Sequence, residues 1–142
     1  RMNLEFIQDL WDKDSIIDNE LLHNESTKIP ALHAKYYKIY NNILTLKKAQ
    51  ETQYKILKKE KWQYYTGKAS PEVYVDKPFD FKVLKADLDK YFDADADLIK
   101  CTAKIEYQQI MLEYLESILK IISNRTYQIK NAIEWQRFTN GL

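Results

Sequence analysis

Glycine and proline are scarce in this chain, which contains 2 Gly and 3 Pro among 142 residues. At average usage, a chain of this length has roughly ten Gly and seven Pro. Because tight turns depend on both residue types, the shortage argues against β-sandwiches, β-barrels and enzymes that need many turns. The length still suits about one domain, large enough to bury a core without disulfides.

Residues that mark catalytic and metal sites are equally few. Cys101 is the lone cysteine, which excludes an intrachain disulfide and a cysteine-rich metal site. Two glycines are too few for a phosphate-binding loop, and the two histidines share no ligand motif. The triplet Asp93-x-Asp95-x-Asp97 lacks the Gly and Glu that a calcium loop needs, so it predicts a helix cap. We therefore expect no enzymatic activity, no metal and no cofactor.

Long hydrophobic runs are also missing. No apolar run approaches the roughly 18 residues that a membrane span requires. No secretory signal pattern opens the chain. We therefore expect a protein without a membrane partner, in a reducing cytoplasm.

What the sequence does contain is helical spacing of its apolar residues. It predicts an all-α fold with a surface loop over residues 68–80 that includes a short extended piece around Val73–Val75. A turn or two of helix is expected over 19–28. The main helical segments are predicted at 3–12, 30–65, 82–92 and about 93–138, with Thr66-Gly67 as the stop signal of the second. The last one carries a long apolar seam for packing on other helices.

Charge is unevenly distributed, although the formal net charge is only +1. Residues 28–68 carry ten Lys and two Glu, a net of +8, between segments 1–27 and 69–117 that are each −5. Three aromatic side chains stand among the lysines near the end of the predicted long helix. The candidate nucleic-acid-binding residues are Lys48, Lys55, Lys58, Lys59, Lys61, Trp62, Tyr64, Tyr65 and Lys68.

Two interpretations of this basic segment stay open from the residues alone. Lysines beside flat rings suit single-stranded nucleic acid, because ammonium groups follow the phosphates and rings stack on bases. The same pattern fits a solvated helix face whose rings fill the core. A recognition helix for double-stranded DNA is disfavoured by the lack of an Arg, Asn or Gln cluster, and a membrane-surface helix by polar residues on its apolar face.

Four segments carry a resemblance to a known family. Lys59-x-Lys61-x-x-Tyr64-Tyr65-Thr66-Gly67 is similar to the basic-x-basic-x-x-Tyr-Tyr-Ser/Thr-Gly motif of the UvsY recombination mediators of T-even-like phages. Lys61 stands where that family has Arg, which keeps the charge but loses bidentate phosphate contact. The other three segments are Asp14-x-x-Ile17-Asp18, Asp95-x-Asp97-Leu98-Ile99-Lys100, and Arg125-x-Tyr127-x-Ile129-Lys130 followed by Phe138 and Gly141.

The resemblance implies a protein that binds single-stranded DNA and has no enzymatic turnover. It implies loading of the phage RecA-like recombinase onto strands coated by the phage single-stranded-DNA-binding protein, in the cytoplasm of the infected bacterial host. It also implies a homo-oligomeric ring, a hexamer or heptamer, assembled through the C-terminal helical region. The expected assembly residues are Leu115, Ile118, Leu119, Ile122, Ile129, Ile133 and Phe138.

We accordingly expect two parts, residues 2–80 with the DNA-binding helix and loop, and residues 81–142 with the oligomerisation region. The alternative from another class is a helical oligomeric scaffold without nucleic-acid binding. It would use the same C-terminal seam, and its lysines would only confer solubility. The salt dependence of binding discriminates between the two. When a protein binds through phosphates, a plot of log affinity against log salt concentration has a slope of about −0.7 for each phosphate neutralised.

Overall fold

The computed structural model describes residues 2–141, which form helices and contain no strand. A 3₁₀ turn at Lys85–Asp87 precedes the fifth helix. Within the same range, no helix has the length and apolar character needed to cross a bilayer, and no three His, Cys, Asp or Glu side chains could hold a metal ion. The helices are α1 (Leu4–Asp14), α2 (Leu22–Thr27), α3 (Ile29–Tyr65), α4 (Pro71–Asp76), α5 (Leu88–Ala94) and α6 (Ala96–Thr139).

The predicted all-α fold and its two long helices are confirmed. Helix α3 has 37 residues and α6 has 44, which correspond to about 55 Å and 66 Å at 1.5 Å per residue. Pro30 lies in the first turn of α3, where its missing N–H leaves no backbone bond unmade. Neither helix meets a glycine or a further proline before its last turn.

The connection between the long helices corrects one prediction. Val73–Val75 are not extended, because they lie within helix α4. Pro71 occupies a first-turn position behind Ser70, and Glu72 places an acid in the same turn. These helix-start signals outweigh the preference of the two β-branched valines for strands.

Contacts divide the chain into two compact units that are not consecutive in sequence. The first unit combines the residues up to Leu44 with those from Gln109 onwards, and the second unit is Thr45–Gln108. Both long helices therefore contribute to both units. The functional division into residues 2–80 and 81–142 follows a different boundary and stays a prediction.

The first unit has a core built from side chains distant in sequence. Helix α6 supplies most of it, and α1 and α3 each supply two residues. Trp11 and Tyr36 meet edge to face, with ring centroids 5.4 Å apart. The buried cluster consists of Ile7, Trp11, Tyr36, Ile43, Met111, Leu112, Leu115, Ile118 and Ile122.

A buried arginine joins α6 to the end of α1. Arg125 is 3% exposed and donates to the carbonyl oxygens of Asp14 and Ser15, both at 3.0 Å. The Asp14 carboxylate accepts from Lys35 Nζ at 2.6 Å and from the Tyr36 hydroxyl at 2.8 Å. Burial alone raises the pKa of Asp14, but these hydrogen bonds outweigh it and hold the pKa below its ordinary value. Two of the segments singled out in the sequence therefore meet in the first unit.

Candidate nucleic-acid interface

Helix α3 ends in the second unit with a motif that requires glycine. Gly67 takes the left-handed conformation, with φ of 76°. The N–H of Lys68 donates to the Gln63 carbonyl at 2.7 Å, and the N–H of Gly67 donates to the Tyr64 carbonyl at 3.3 Å. This pair of bonds closes the helix and reverses the chain. The reversal leaves the Lys68 ammonium 4.4 Å from the centre of the Trp62 ring.

The two tyrosines before the stop face other rings of the second unit. The Tyr64 ring stacks on Tyr74 of α4, with centroids 5.5 Å apart and planes 13° apart. The Tyr65 ring contacts Phe79 and Tyr91 at centroid distances of 5.2 and 5.4 Å. Tyr64 and Tyr65 are half-buried, and they attach the segment between the long helices to the end of α3.

The Tyr65 hydroxyl belongs to a polar network at the start of α6. Its centre is Asp95, whose side chain is 4% exposed. Asp95 Oδ1 accepts from the N–H groups of Asp97 and Leu98, both at 3.0 Å, and so caps α6. Asp95 Oδ2 accepts from the Tyr65 hydroxyl at 2.5 Å and lies 3.3 Å from Lys61 Nζ. Lys61 also donates to Asp97 Oδ2 at 2.7 Å. The helix-capping interpretation of this acidic triplet is therefore confirmed at Asp95.

The network holds Lys61, Asp95 and Asp97 in their charged forms. Burial lowers the pKa of Lys61, but its hydrogen bond to Asp97 and the charge of Asp95 outweigh this and raise the pKa above its ordinary value. Burial raises the pKa of Asp95, but the bonds from Tyr65 and from the Leu98 N–H, with the nearby Lys61, bring it below the ordinary value. The bond from Lys61 lowers the pKa of Asp97. At neutral pH two carboxylates therefore surround one ammonium group.

The opposite face of α3 carries lysines that this network does not engage. Lys55 and Lys59 are exposed, and neither forms an ion pair with another residue of the described range 2–141. Trp62 follows them at steps of seven and three, is 38% exposed, and has the Lys68 ammonium over its ring. Residues at such steps lie on one side of a helix. We call the surface formed by Lys55, Lys59, Trp62 and Lys68 the basic stripe.

Two other candidate lysines flank the basic stripe. Lys48 is exposed and lies 3.9 Å from Glu51 one turn further along α3, an ion pair that contributes little at such exposure. The Lys58 ammonium lies 5.3 Å from the centre of the Phe92 ring. Both charges remain at the surface, next to the basic stripe along the helix.

Comparison with known proteins assigns the chain to a family. A family model described as "Recombination, repair and ssDNA binding protein UvsY" matches residues 10–142. The chain belongs to the UvsY family. The family expected from the four sequence segments is therefore confirmed.

Individual UvsY proteins agree along nearly the whole chain. The "Recombination protein uvsY" of Enterobacteria phage T4 is 25% identical over 140 residues, which cover 99% of each chain. One crystal structure of the bacteriophage T4 recombination mediator protein UvsY is 25% identical, with a TM-score of 0.86 over 99% of each chain. A second, in another lattice, is 26% identical, with a TM-score of 0.87 over 96% of this chain and 99% of that one.

The structure places the residues of the UvsY motif segment in two different environments. Lys59 and Trp62 lie on the basic stripe, whereas Lys61, Tyr64 and Tyr65 lie among internal partners of the second unit. The sequence did contain a sign of this division. Lys61 and Tyr65 are four residues apart, on a different side of the helix from Lys59.

The residues expected to assemble the UvsY ring are also divided. Within a single protomer, Leu115, Ile118, Ile122 and Ile129 are already buried, and Leu119 is half-buried. Ile133 and Phe138 are exposed, the latter by 77%. Phe138 stacks on Trp135, with centroids 5.9 Å apart, and sequence reasoning missed this tryptophan, which is 65% exposed. Ile133, Trp135 and Phe138 therefore keep exposed apolar surface near the end of α6.

Proposed function

We propose that this protein binds single-stranded DNA and loads a RecA-like recombinase onto strands coated by single-stranded-DNA-binding protein, in phage recombination and repair. The observation that carries the proposal is the basic stripe in a chain of the UvsY family. Its lysines are exposed, and its one ring, Trp62, is 38% exposed beside them. Cations for phosphates beside a ring for bases are what sequence-independent binding to a single strand requires.

The basic stripe binds few phosphates in one protomer. A homo-oligomeric ring of six or seven subunits repeats it, so one strand engages several copies at once. Linked sites raise the overall affinity without improving any single contact, provided that the strand can span them. The exposed residues Ile133, Trp135 and Phe138 are the proposed contact between neighbouring subunits, and they lie at the end of α6.

Loading follows from how a ring holds the strand. A strand bound at several points around a ring is curved, and a curved strand fits the coating protein less well. The coating protein is then displaced at a lower free-energy cost, and the recombinase binds the freed nucleotides. If monomeric variants load recombinase as well as the ring does, this mechanism is wrong.

Titration of a fluorescent oligo-dT at several salt concentrations tests the DNA-binding step. When the log–log slope is about −0.7 per phosphate, each phosphate contact raises the affinity about fivefold at 0.1 M salt. We therefore expect Lys55→Ala/Lys59→Ala to bind about 25-fold more weakly, with a slope that is smaller by about 1.4. The control Lys82→Ala/Lys85→Ala removes the same charge from exposed positions outside the basic stripe.

Three results separate the possibilities. Loss of affinity and of slope in the first variant alone supports the basic stripe. Equal losses in both variants indicate a response to total charge and contradict the assignment of these residues. If the wild type does not bind oligo-dT at low salt, the scaffold without nucleic-acid binding becomes the better description.

A further inference from the structure

The two basic residues of the family motif occupy different environments in this chain. Lys59 and Lys61 are two positions apart, which places them about 200° apart around α3. Lys59 is exposed, whereas the side chain of Lys61 is 17% exposed and lies against the start of α6. Two lysines of the same motif therefore have different structural environments.

The setting of Lys61 is unfavourable for a phosphate. Its ammonium group lies 2.7 Å from Asp97 Oδ2 and 3.3 Å from Asp95 Oδ2. Two carboxylates already compensate its positive charge, which weakens its attraction for a phosphate. A strand that contacts Lys61 must also displace Asp97 from a hydrogen bond between two charged groups, which is stronger than a neutral one.

The same contacts suit a role in placing neighbouring residues. Lys61 and Tyr65 lie on the inner side of the last turns of α3, and both bind Asp95, the cap of α6. Trp62 is adjacent to Lys61 on the outer side, and its ring holds the Lys68 ammonium at 4.4 Å. Whatever fixes the inner side of these turns also fixes where the Trp62 ring stands.

We propose that Lys61 is a positioning residue, which ties the end of α3 to the Asp95 and Asp97 carboxylates so that the Trp62 ring of the basic stripe is held in place, and that Lys59 contacts the phosphates. This inference rests on the proposed function, because it assigns roles within the same DNA-binding surface. It separates the effect of Lys61 on affinity from any direct contact with the strand.

The salt dependence of oligo-dT binding distinguishes the two roles, with Lys59→Met as the matched control. We expect Lys59→Met to reduce the log–log slope by about 0.7, because one phosphate contact is lost. We expect Lys61→Met to weaken binding about tenfold, the effect of losing one stacked base, with a slope within about 0.2 of the wild type. Lys61→Arg keeps the pairing with both carboxylates and restores the affinity.

Tyr65→Phe tests the same network without removing a charge. It deletes the hydroxyl that donates to Asp95, so we expect weaker binding at an unchanged slope. The double variant Lys61→Met/Tyr65→Phe should lose less affinity than the product of the two single fold-losses, because both substitutions act through Asp95. Circular dichroism at the titration temperature establishes that each variant is folded, and Tyr65→Phe remains informative if Lys61→Met does not fold.

Two results overturn the inference while leaving DNA binding intact. A slope reduced by about 0.7 in Lys61→Met, as in Lys59→Met, means that Lys61 neutralises a phosphate. Unchanged affinity in folded Lys61→Met and Tyr65→Phe means that the network does not hold the Trp62 ring in place. Failure of the wild-type protein to bind is a separate outcome, which refutes the proposed function itself.

Discussion

Replacement of Asp95 by alanine removes the acceptor that joins the end of α3 to the start of α6 in the second unit. The Asp95 side chain is 4% exposed and accepts four contacts, from two backbone N–H groups, the Tyr65 hydroxyl and the Lys61 ammonium. Alanine leaves each of these donors without that partner. Lys61 keeps Asp97, so its charge is only partly uncompensated.

The magnitude follows from the bonds that are lost. Loss of a helix N-cap costs about 1 kcal/mol, and loss of a hydrogen bond to a charged group costs about 1.5–3 kcal/mol. These contributions are coupled through one carboxylate and do not add fully. We expect Asp95→Ala to lower the free energy of unfolding by about 3 kcal/mol, the lower end of what breaking a buried ion pair costs. Asp95→Asn keeps a capping oxygen and should cost about half as much.

Urea unfolding, followed by circular dichroism, measures this change. The control is Asp93→Ala, an exposed acid two residues earlier, which we expect to stay within about 0.5 kcal/mol of the wild type. If Asp95→Ala and Asp93→Ala unfold at the same urea concentration, the network does not stabilise the protein and the reasoning is refuted.

The pH dependence of the protein's stability is a second test of the role of the Asp95 carboxylate. The folded protein holds the pKa of Asp95 below the ordinary 3.8, despite burial, because of its bonds to Tyr65, the Leu98 N–H and Lys61. The stabilisation is therefore complete above that ordinary value and is lost as the pH falls through the lowered one. We expect the urea concentration at the midpoint of unfolding to decrease as the pH is lowered below about 4. The decrease should be smaller in Asp95→Asn, which has no carboxylate to titrate at this position.

Two further predictions concern the first unit. Ile122→Ala empties a fully buried position and should lower the free energy of unfolding by about 2–5 kcal/mol in urea, whereas Ile121→Ala, at a 44% exposed position, should lower it by less than about 1 kcal/mol; equal effects would contradict the described core. Trp135→Ser/Phe138→Ser should reduce the molar mass found by light scattering without loss of helix, and an unchanged mass would place the assembly contact elsewhere.

The fold was largely predictable because its signals are local. Apolar spacing, Pro30 in a first turn and Gly67 after the last turn are enough to define α3. The exceptions are α4, where two valines favoured an extended segment and the start signal at Pro71 prevailed, and α5, which begins at Leu88 although a helix was expected from residue 82. Short helices are decided by such small differences between local preferences, whereas a 44-residue helix is not.

The candidate site was predictable only in part, because its partners are distant in sequence. The helical steps from Lys55 to Lys59 and from Lys59 to Trp62, of four and three residues, are enough to place all three on one side of a helix. Helical spacing separates Lys61 from Lys59, but it does not show that Lys61 is the paired one of the two. That difference comes from Asp95 and Asp97, which are more than 30 residues away and approach only when the helices pack.

The composition of the first unit has a consequence for the order of events during synthesis. Ile7 and Trp11 are synthesised about 100 residues before their partners Leu115, Ile118 and Ile122. At about 5–20 residues per second, α1 waits about 5–20 seconds for the helix that covers it. During that interval its apolar face is open to chaperones and to other nascent chains. A chain interrupted before α6 leaves that face uncovered, so truncated products of this protein should be insoluble or degraded.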